Sequence, residues 1–166
     1  VRQEQLEKLK PDGYRTFGMS PDGSNIYVTA DGSAGHYAAF AFDRSKQTLK
    51  LLYENPNYDI DGFIFSRVTH DAVGAGYVDD LPHINWFGEP YVSLQASIDK
   101  ALPGVANTIV SRNKDESRVV IRAEAPSFPP VYYVLDRNLH FLTALGRSYP
   151  ELAPAMLADV RKVTYK

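Results

Sequence analysis

The stretch MSPDGSNIYVTA, Met19–Ala30, joins a tight turn to a strand, and it decides the fold because the chain repeats it. Pro21 presets φ at the first central position of a turn, and Gly23 accepts the positive φ that most residues avoid. The residues that follow, Ile26 to Thr29, are β-branched or aromatic, which is typical of a strand. A hairpin that recurs at a regular interval determines the architecture of the whole chain.

Alignment of the chain with itself finds two further copies of this hairpin. A shift of about 46 residues places TFGMSPDGSNIYVTA over GFIFSRVTHDAVGAG without a gap, with Ser20 over Ser66. The third copy, NTIVSRNKDESRVVIRA, has Ser111 at the anchor position and a turn two residues longer. Independently, residues 38–52 align without a gap over residues 131–145, a shift of 93 that takes Asp43 to Asp136. This shift is about two periods of a propeller-type repeat.

Each repeat predicts up to four short antiparallel strands joined by tight turns. The predicted strands are 16–20, 25–30, 36–42 and 48–54 in the first repeat, 62–68, 72–78 and 83–87 in the second, and 107–111, 118–123, 131–136 and 140–145 in the third.

The second repeat breaks the pattern after its third strand. In residues 89–104 the apolar side chains of Tyr91, Leu94, Ile98 and Leu102 recur at the spacing of one helix face, and Pro103-Gly104 ends the helix. Residues 3–13, QEQLEKLKPDG, predict a second short helix near the N-terminus.

These patterns predict a mainly all-β fold: a partial β-propeller of about three four-stranded antiparallel blades, with one inserted amphipathic helix and short terminal helices. We expect a single domain, 1–166, with approximate units 14–57, 58–104 and 105–147, and an exit segment at 148–166. Complete propellers have four to eight blades, so we expect this chain to be part of a ring. A β-sandwich with similar hairpins is the alternative, although sandwiches seldom show ungapped self-similarity.

Composition excludes several classes of function. The net charge of -2 is mixed along the 166 residues, so it predicts no binding to nucleic acid or to an anionic membrane. The absence of cysteine excludes disulfides, thiolate catalysis and Cys-ligated zinc. No apolar run approaches the ~20 residues of a membrane helix, so we expect a soluble chain, compatible with cytoplasm or periplasm. Because the chain opens on Val1 rather than Met and stops at VRKVTYK, a strand-like alternation with no closing turn, we expect both ends to be cut, by processing or by truncation.

A search for catalytic and binding motifs predicts no catalytic, cofactor-binding or metal-ligating residue. No serine lies in a G-x-S-x-G nucleophile elbow, and no P-loop or dinucleotide-binding glycine pattern occurs. The four histidines, His36, His70, His83 and His140, are far apart and form no H-x-x-x-H pair.

Other polar residues also have a structural interpretation. We interpret His83 as a strand residue that caps an aromatic cluster near Trp86. Asp59 and Asp61 lack the further oxygen ligands of a calcium loop, so we interpret them as turn residues between repeats. Asp79-Asp80 is interpreted as part of a polar loop.

Several segments, in this order, resemble the N-terminal β-propeller of prolyl oligopeptidase family serine peptidases, in particular bacterial acylaminoacyl-peptidase-like members. They are MSPDGSNIYVTA, LKLLYENPNYDIDGF, HINWF with its following helix, VSRNKDESRVVIRAEA and the C-terminal run from Tyr132 to Lys166. Within that run, YPELAPAMLADVRKVTYK looks like the passage from the last blade into an α/β-hydrolase domain. The third turn, SRNKDES, departs from the first because it lacks Asp-Gly.

The resemblance implies a non-catalytic fragment that controls substrate access, or gating, to an active site on a missing α/β-hydrolase domain. No residue here matches the catalytic Ser, Asp and His of that family, so the fragment itself is not expected to be an enzyme. Its implied partners are that hydrolase domain and the peptide substrate of the parent peptidase. The alternative is a propeller-like protein-interaction scaffold, and a third class is a small free-standing enzyme.

The prediction of an open ring has a physical consequence. Neighbouring blades cover each other's faces, and exposed apolar patches beyond a few hundred Å² usually find a partner. We therefore expect self-association through the exposed blade faces.

Overall fold

The computed structural model describes residues 13–152, 157, 158, 160 and 163. The chain divides into two compact units, residues 1–93 and 94–166, and the division falls inside a helix. The described residues form three antiparallel sheets, none of which closes on itself. The prediction of a mainly β chain is confirmed.

The first unit contains two sheets. The strands of the first sheet are β1 (Tyr14–Met19), β2 (Asn25–Asp31), β3 (Tyr37–Asp43) and β4 (Thr48–Tyr53), paired in that order. The strands of the second sheet are β5 (Ile60–Phe65), β6 (Ala72–Val78) and β7 (Pro82–Trp86), also paired in sequence order.

The second unit contains the third sheet, whose four strands again follow one another along the chain. They are β8 (Ala106–Arg112), β9 (Arg118–Ala125), β10 (Phe128–Asp136) and β11 (Phe141–Arg147). The four strands predicted for the first and third repeats and the three strands predicted for the second repeat are therefore confirmed in the described residues.

The helix α1, Tyr91–Ala101, takes the place in the chain where the second sheet would have a fourth strand. From Tyr91 onward the apolar residues recur at helical rather than alternating spacing. Tyr91, Leu94 and Ile98 are buried, which confirms the predicted apolar face. The helix ends two residues before Pro103, and Gly104 adopts a φ of 79°. No helix among the described residues is long and apolar enough to cross a membrane.

The first and third sheets repeat each other down to individual hydrogen bonds, at the shift of 93 residues. The Ser20 N–H donates to the Asn25 carbonyl at 2.9 Å, and the Asn113 N–H donates to the Arg118 carbonyl at 3.1 Å. In both turns the same position has a positive φ, 70° at Gly23 and 56° at Glu116. Asn113, not Ser111, therefore corresponds to Ser20, and the two turns have equal length. The expectation of a longer third turn was wrong because Glu116 adopts the left-handed conformation without glycine.

The hairpins between the third and fourth strands repeat in the same way. The Asp43 carboxylate accepts the N–H groups of Ser45 and Lys46 at 2.9 and 3.0 Å. The Asp136 carboxylate accepts the two equivalent N–H groups, each at 3.1 Å. Such Asx-type bonds set the turn geometry independently of glycine.

Strand β5 of the second sheet, Ile60–Phe65, begins and ends earlier than the predicted strand 62–68. The prediction of a strand over 62–68 is wrong at its end, because the Ser66 hydroxyl accepts the N–H groups of Val68 and Thr69 at 3.1 and 3.2 Å. These bonds turn the chain immediately after Phe65.

The core of the first unit lies on both faces of the first sheet. On the face toward the second sheet, buried Ala39 meets Ile60 and Ala75. On the opposite face, Val28 and Phe42 are fully buried. Small side chains on β3 allow the two sheets to approach closely, which positions the groove described below.

Some predictions fall outside the described residues. Residues 1–12, which hold nearly all of the predicted N-terminal helix, and most of the exit segment 148–166 are among them. The division into units 14–57, 58–104 and 105–147 and the propeller arrangement stay predictions.

Candidate functional site

A groove lies between the first and second sheets, within the first unit. Its volume is about 520 Å³, which is within the range of ligand-binding pockets. The first sheet contributes Tyr27, Ala41 and Lys50 to the lining, and the second sheet contributes Asn85, Trp86 and Phe87 at the end of β7. This groove is the candidate functional site.

The strand register explains why one side of the groove is a straight row of side chains. Tyr27 on β2 is paired with Ala41 on β3, and Ala41 is paired with Lys50 on β4. Side chains that are paired across neighbouring strands point to the same face. Because Ala41 is short, the row is concave between the tyrosine ring and the lysine.

The number of strands explains the other side of the groove. The second sheet ends at β7 in the described residues, so it has no strand to match β4 of the first sheet. Trp86 and Phe87, at the end of β7, therefore form the wall opposite Lys50.

Tyr27 closes one end of the row and is held rigidly. Its ring is buried and packs against Phe63 and Phe65, with ring centroids 5.4 and 5.7 Å away. Its hydroxyl donates a hydrogen bond to the Asp71 carboxylate. Burial, followed by the bond to Asp71, raises the pKa of Tyr27 above its usual value of 10.0. The phenol is therefore a neutral donor over the physiological pH range.

The charge of the groove is carried by Lys50, since the other residues that line it are uncharged and none is a carboxylic acid. Asp71 stands behind the Tyr27 hydroxyl and also accepts the Ala72 N–H at 3.0 Å, so two donors already compensate its charge. An exposed ammonium between aromatic and carboxamide groups suits recognition of an anionic group.

A second cluster of polar and aromatic residues surrounds His83 on β7. The imidazole stacks on Tyr77 at 5.2 Å between ring centroids, and its Nε2 lies 3.0 Å from Asp79. Tyr77 also stacks on Tyr58. The Leu81 N–H, followed by His83, lowers the pKa of Asp79. The interpretation of His83 as a strand residue in an aromatic cluster is confirmed, although its partner is Tyr77 rather than the neighbouring Trp86.

The structure separates the remaining candidate residues. Asp59 precedes β5 and accepts the Tyr37 N–H at 2.7 Å, which confirms its interpretation as a residue between repeats. Asp61 lies within β5, so its interpretation as a turn residue is wrong. Asp79 lies in the β6–β7 turn and accepts the Leu81 N–H at 2.9 Å, as the polar-loop interpretation predicts.

The other three histidines lie in separate places in the chain and do not join the His83 cluster. His36 lies 3.5 Å from Asp59. His70 and His140 occupy turns with positive φ. Within the described part of the chain, no group of three or more His, Asp or Glu residues is arranged to hold a metal ion.

Sequence reasoning did not find the groove. Tyr27 and Lys50 are 23 positions apart and belong to different strands, so only the pairing of β2, β3 and β4 brings them onto one face. The available signal was the alternation of side chains along β4, which places Lys50 on the face of the first sheet that meets the second.

Comparison with known proteins points to a peptidase. The chain is 25% identical over 138 residues to dipeptidyl aminopeptidase BIII of Pseudoxanthomonas mexicana. This match covers 81% of the chain but only 19% of the relative, so the chain spans about a fifth of the length of the protein it matches. No family model matches the chain. The similarity indicates a peptidase-related segment.

Proposed function

We propose that this chain is a segment of the non-catalytic β-propeller of a serine peptidase of the prolyl oligopeptidase type. The observation that carries the proposal is the similarity to a dipeptidyl aminopeptidase over 81% of the chain. The two four-stranded meanders, related by 93 residues and by equivalent turn hydrogen bonds, support the assignment because a propeller blade is a four-stranded antiparallel meander.

The proposed role is to restrict access to an active site on an α/β-hydrolase domain of the same longer protein. Enclosure excludes bulk water and limits the size of substrates that reach the catalytic residues. A rigid wall suits this role. The aromatic packing of Tyr27, Phe63 and Phe65 between the first two sheets provides rigidity in the first unit.

The reading frame that continues after Lys166 tests the parent enzyme directly. We expect it to encode an α/β-hydrolase domain with a G-x-S-x-G nucleophile elbow. A continuation into further four-stranded repeats, with no hydrolase domain, would overturn the proposal and would favour an interaction scaffold.

Substrate profiling of the full-length protein tests both the gating role and the type of peptidase. We expect hydrolysis of short chromogenic peptides and no cleavage of a folded protein that carries the same N-terminal residues. An acetyl-alanine p-nitroanilide substrate reports acylaminoacyl-peptidase activity, which we propose for the parent, and an alanyl-alanine p-nitroanilide substrate reports dipeptidyl aminopeptidase activity. Equal cleavage of folded and short substrates would contradict gating.

A further inference from the structure

The groove in the first unit has properties that access control does not require. Its lining comes from two sheets, combines aromatic rings with carboxamides, and has Lys50 as its charged residue. We propose that this groove binds a short extended peptide segment that carries a carboxylate side chain, with the carboxylate paired to Lys50 and apolar groups packed on Phe87 beside the accessible part of Trp86. This binding site does not depend on the proposed function, because the groove belongs to the first unit by itself.

The dimensions of the groove favour an extended peptide. The row from Tyr27 through Ala41 to Lys50 crosses three neighbouring strands, so it spans about 10 Å at the usual strand spacing. An extended chain advances about 3.3 Å per residue, so roughly three residues match the row. The volume of about 520 Å³ accommodates a ligand of this size.

The absent strand explains why space for such a segment exists. In the first sheet the outermost position is filled by β4, whereas the second sheet stops at β7 within the described residues. Space therefore remains beside the end of β7, opposite the row that leads to Lys50.

The chemistry of the lining selects the charge of the occupant. Lys50 is exposed and lies on the groove face of β4, where it can pair with a carboxylate without desolvating a second charge. Asp71, which lies behind the Tyr27 ring, is engaged by the Tyr27 hydroxyl. Phe87 is half-buried and supplies apolar surface for a neighbouring aliphatic side chain. Trp86 is 8% exposed and its ring stacks on Tyr91, so it contributes only a small part of this wall.

Trp86 provides the measurement, because it is the single tryptophan of the chain and lines the groove. The probes are the capped tripeptide acetyl-Leu-Ala-Glu-amide and its counterparts that end in Gln or Lys. Tryptophan fluorescence of the whole chain is titrated with each peptide. For the Glu peptide we expect a saturable change, with a dissociation constant on the order of 1 mM or tighter. The Gln peptide should bind about two- to fivefold more weakly, as an exposed ion pair contributes little.

Reversing the charge at Lys50 distinguishes recognition of the carboxylate from non-specific binding. Lys50→Glu should weaken binding of the Glu peptide and strengthen binding of the Lys peptide, so that the ratio of the two dissociation constants changes by about tenfold. Lys46→Ala is the matched control. Lys46 is 76% exposed and lies in the turn before β4, outside the groove. We expect this variant to bind as the unchanged chain does, and circular dichroism confirms that both variants fold.

Three results would overturn the proposal: no saturable change with any peptide, equal affinity for the Glu and Lys peptides, or an unchanged preference in Lys50→Glu. The assay contains no peptidase step. Failure here would therefore leave the proposed parent enzyme intact, and failure of the reading-frame test would leave peptide binding intact.

Discussion

Tyr27 links the first two sheets through a single side chain, whose ring packs on Phe63 and Phe65 while its hydroxyl binds Asp71. Tyr27→Phe keeps the ring and removes the hydrogen bond to a carboxylate. We expect the free energy of unfolding to fall by about 1.5 kcal/mol, as measured by urea denaturation. In a double-mutant cycle with Asp71→Ala, the coupling energy should be about 1 kcal/mol.

A tyrosine that makes no such bond with any described residue provides the control for this cycle. Tyr133 lies on β10 in the second unit and is half-buried. Tyr133→Phe should change stability by no more than about 0.5 kcal/mol. Additive effects of the Tyr27 and Asp71 substitutions would show that the hydroxyl does not link the sheets.

The turn carboxylates make the stability of the first sheet depend on acid. The Ser20 hydroxyl, followed by Ser24, lowers the pKa of Asp22 from 3.8 to about 2. The Lys46 N–H, followed by the Ser45 hydroxyl, lowers the pKa of Asp43 to about 2 as well. Since folding lowers both pKa values, this stabilisation is fully present above about pH 4 and is lost as the pH falls toward 2.

Urea unfolding between pH 6 and pH 2.5 measures this acid dependence. We expect the midpoint to fall on acidification, and Asp22→Asn together with Asp43→Asn should flatten the fall by removing the carboxylates. Asp61→Asn, at an exposed position of β5, is the control and should leave the profile unchanged. If the double variant kept the full acid dependence, that dependence would have to come from other groups.

Strands β1 and β5 interlock through two glycines and two phenylalanines. A Cβ atom at Gly18 would lie 2.7 Å from the Phe65 ring, and one at Gly62 would lie 2.9 Å from the Phe17 ring. Phe65 cannot simply move away because it also packs against Tyr27 and Phe63. We therefore expect Gly18→Ala to lower the free energy of unfolding by about 1–3 kcal/mol.

A second substitution and a control make the interlock testable by thermal or urea unfolding. Phe65→Leu introduced with Gly18→Ala should cost less than the sum of the two single changes, since the shorter side chain relieves the overlap. Gly76→Ala is the control, because a Cβ there meets other atoms only at 3.8 Å. Strict additivity would show that the close approach at Gly18 does not constrain the two strands.

At the scale of the whole molecule, we expect the chain to self-associate through exposed apolar strand faces. On and before β11, Leu139, Phe141 and Leu145 are 72%, 59% and 60% exposed. Large apolar side chains grouped along one strand favour association. Light scattering over a range of concentrations should show a mass above that of the monomer, and Phe141→Lys with Leu145→Lys should reduce it.

Val68→Lys is the control for this prediction. Val68 is similarly exposed, at 59%, but lies in the β5–β6 turn. This substitution should leave the association unchanged. A monomeric mass for the unchanged chain at every concentration would contradict self-association.

The sequence by itself determined the secondary structure and the repeat. The signals are local: alternating β-branched and aromatic residues, turn residues such as Asp22 and Asp43, and the helical spacing of Tyr91, Leu94 and Ile98. Local hydrogen bonds and burial depend directly on such signals. The 93-residue shift extends from the sequence to equivalent turn hydrogen bonds.

Only the tertiary structure decided where distant side chains meet. The left-handed Glu116 shows that the third turn has the same length as the first, although the residues differ. The groove depends on the pairing of β2, β3 and β4 and on the end of the second sheet at β7. Strand pairing joins residues that are far apart in the chain, and its geometry depends on packing between sheets rather than on local preference. For this reason the sequence pattern by itself does not bring Tyr27, Lys50 and Trp86 together in the candidate site.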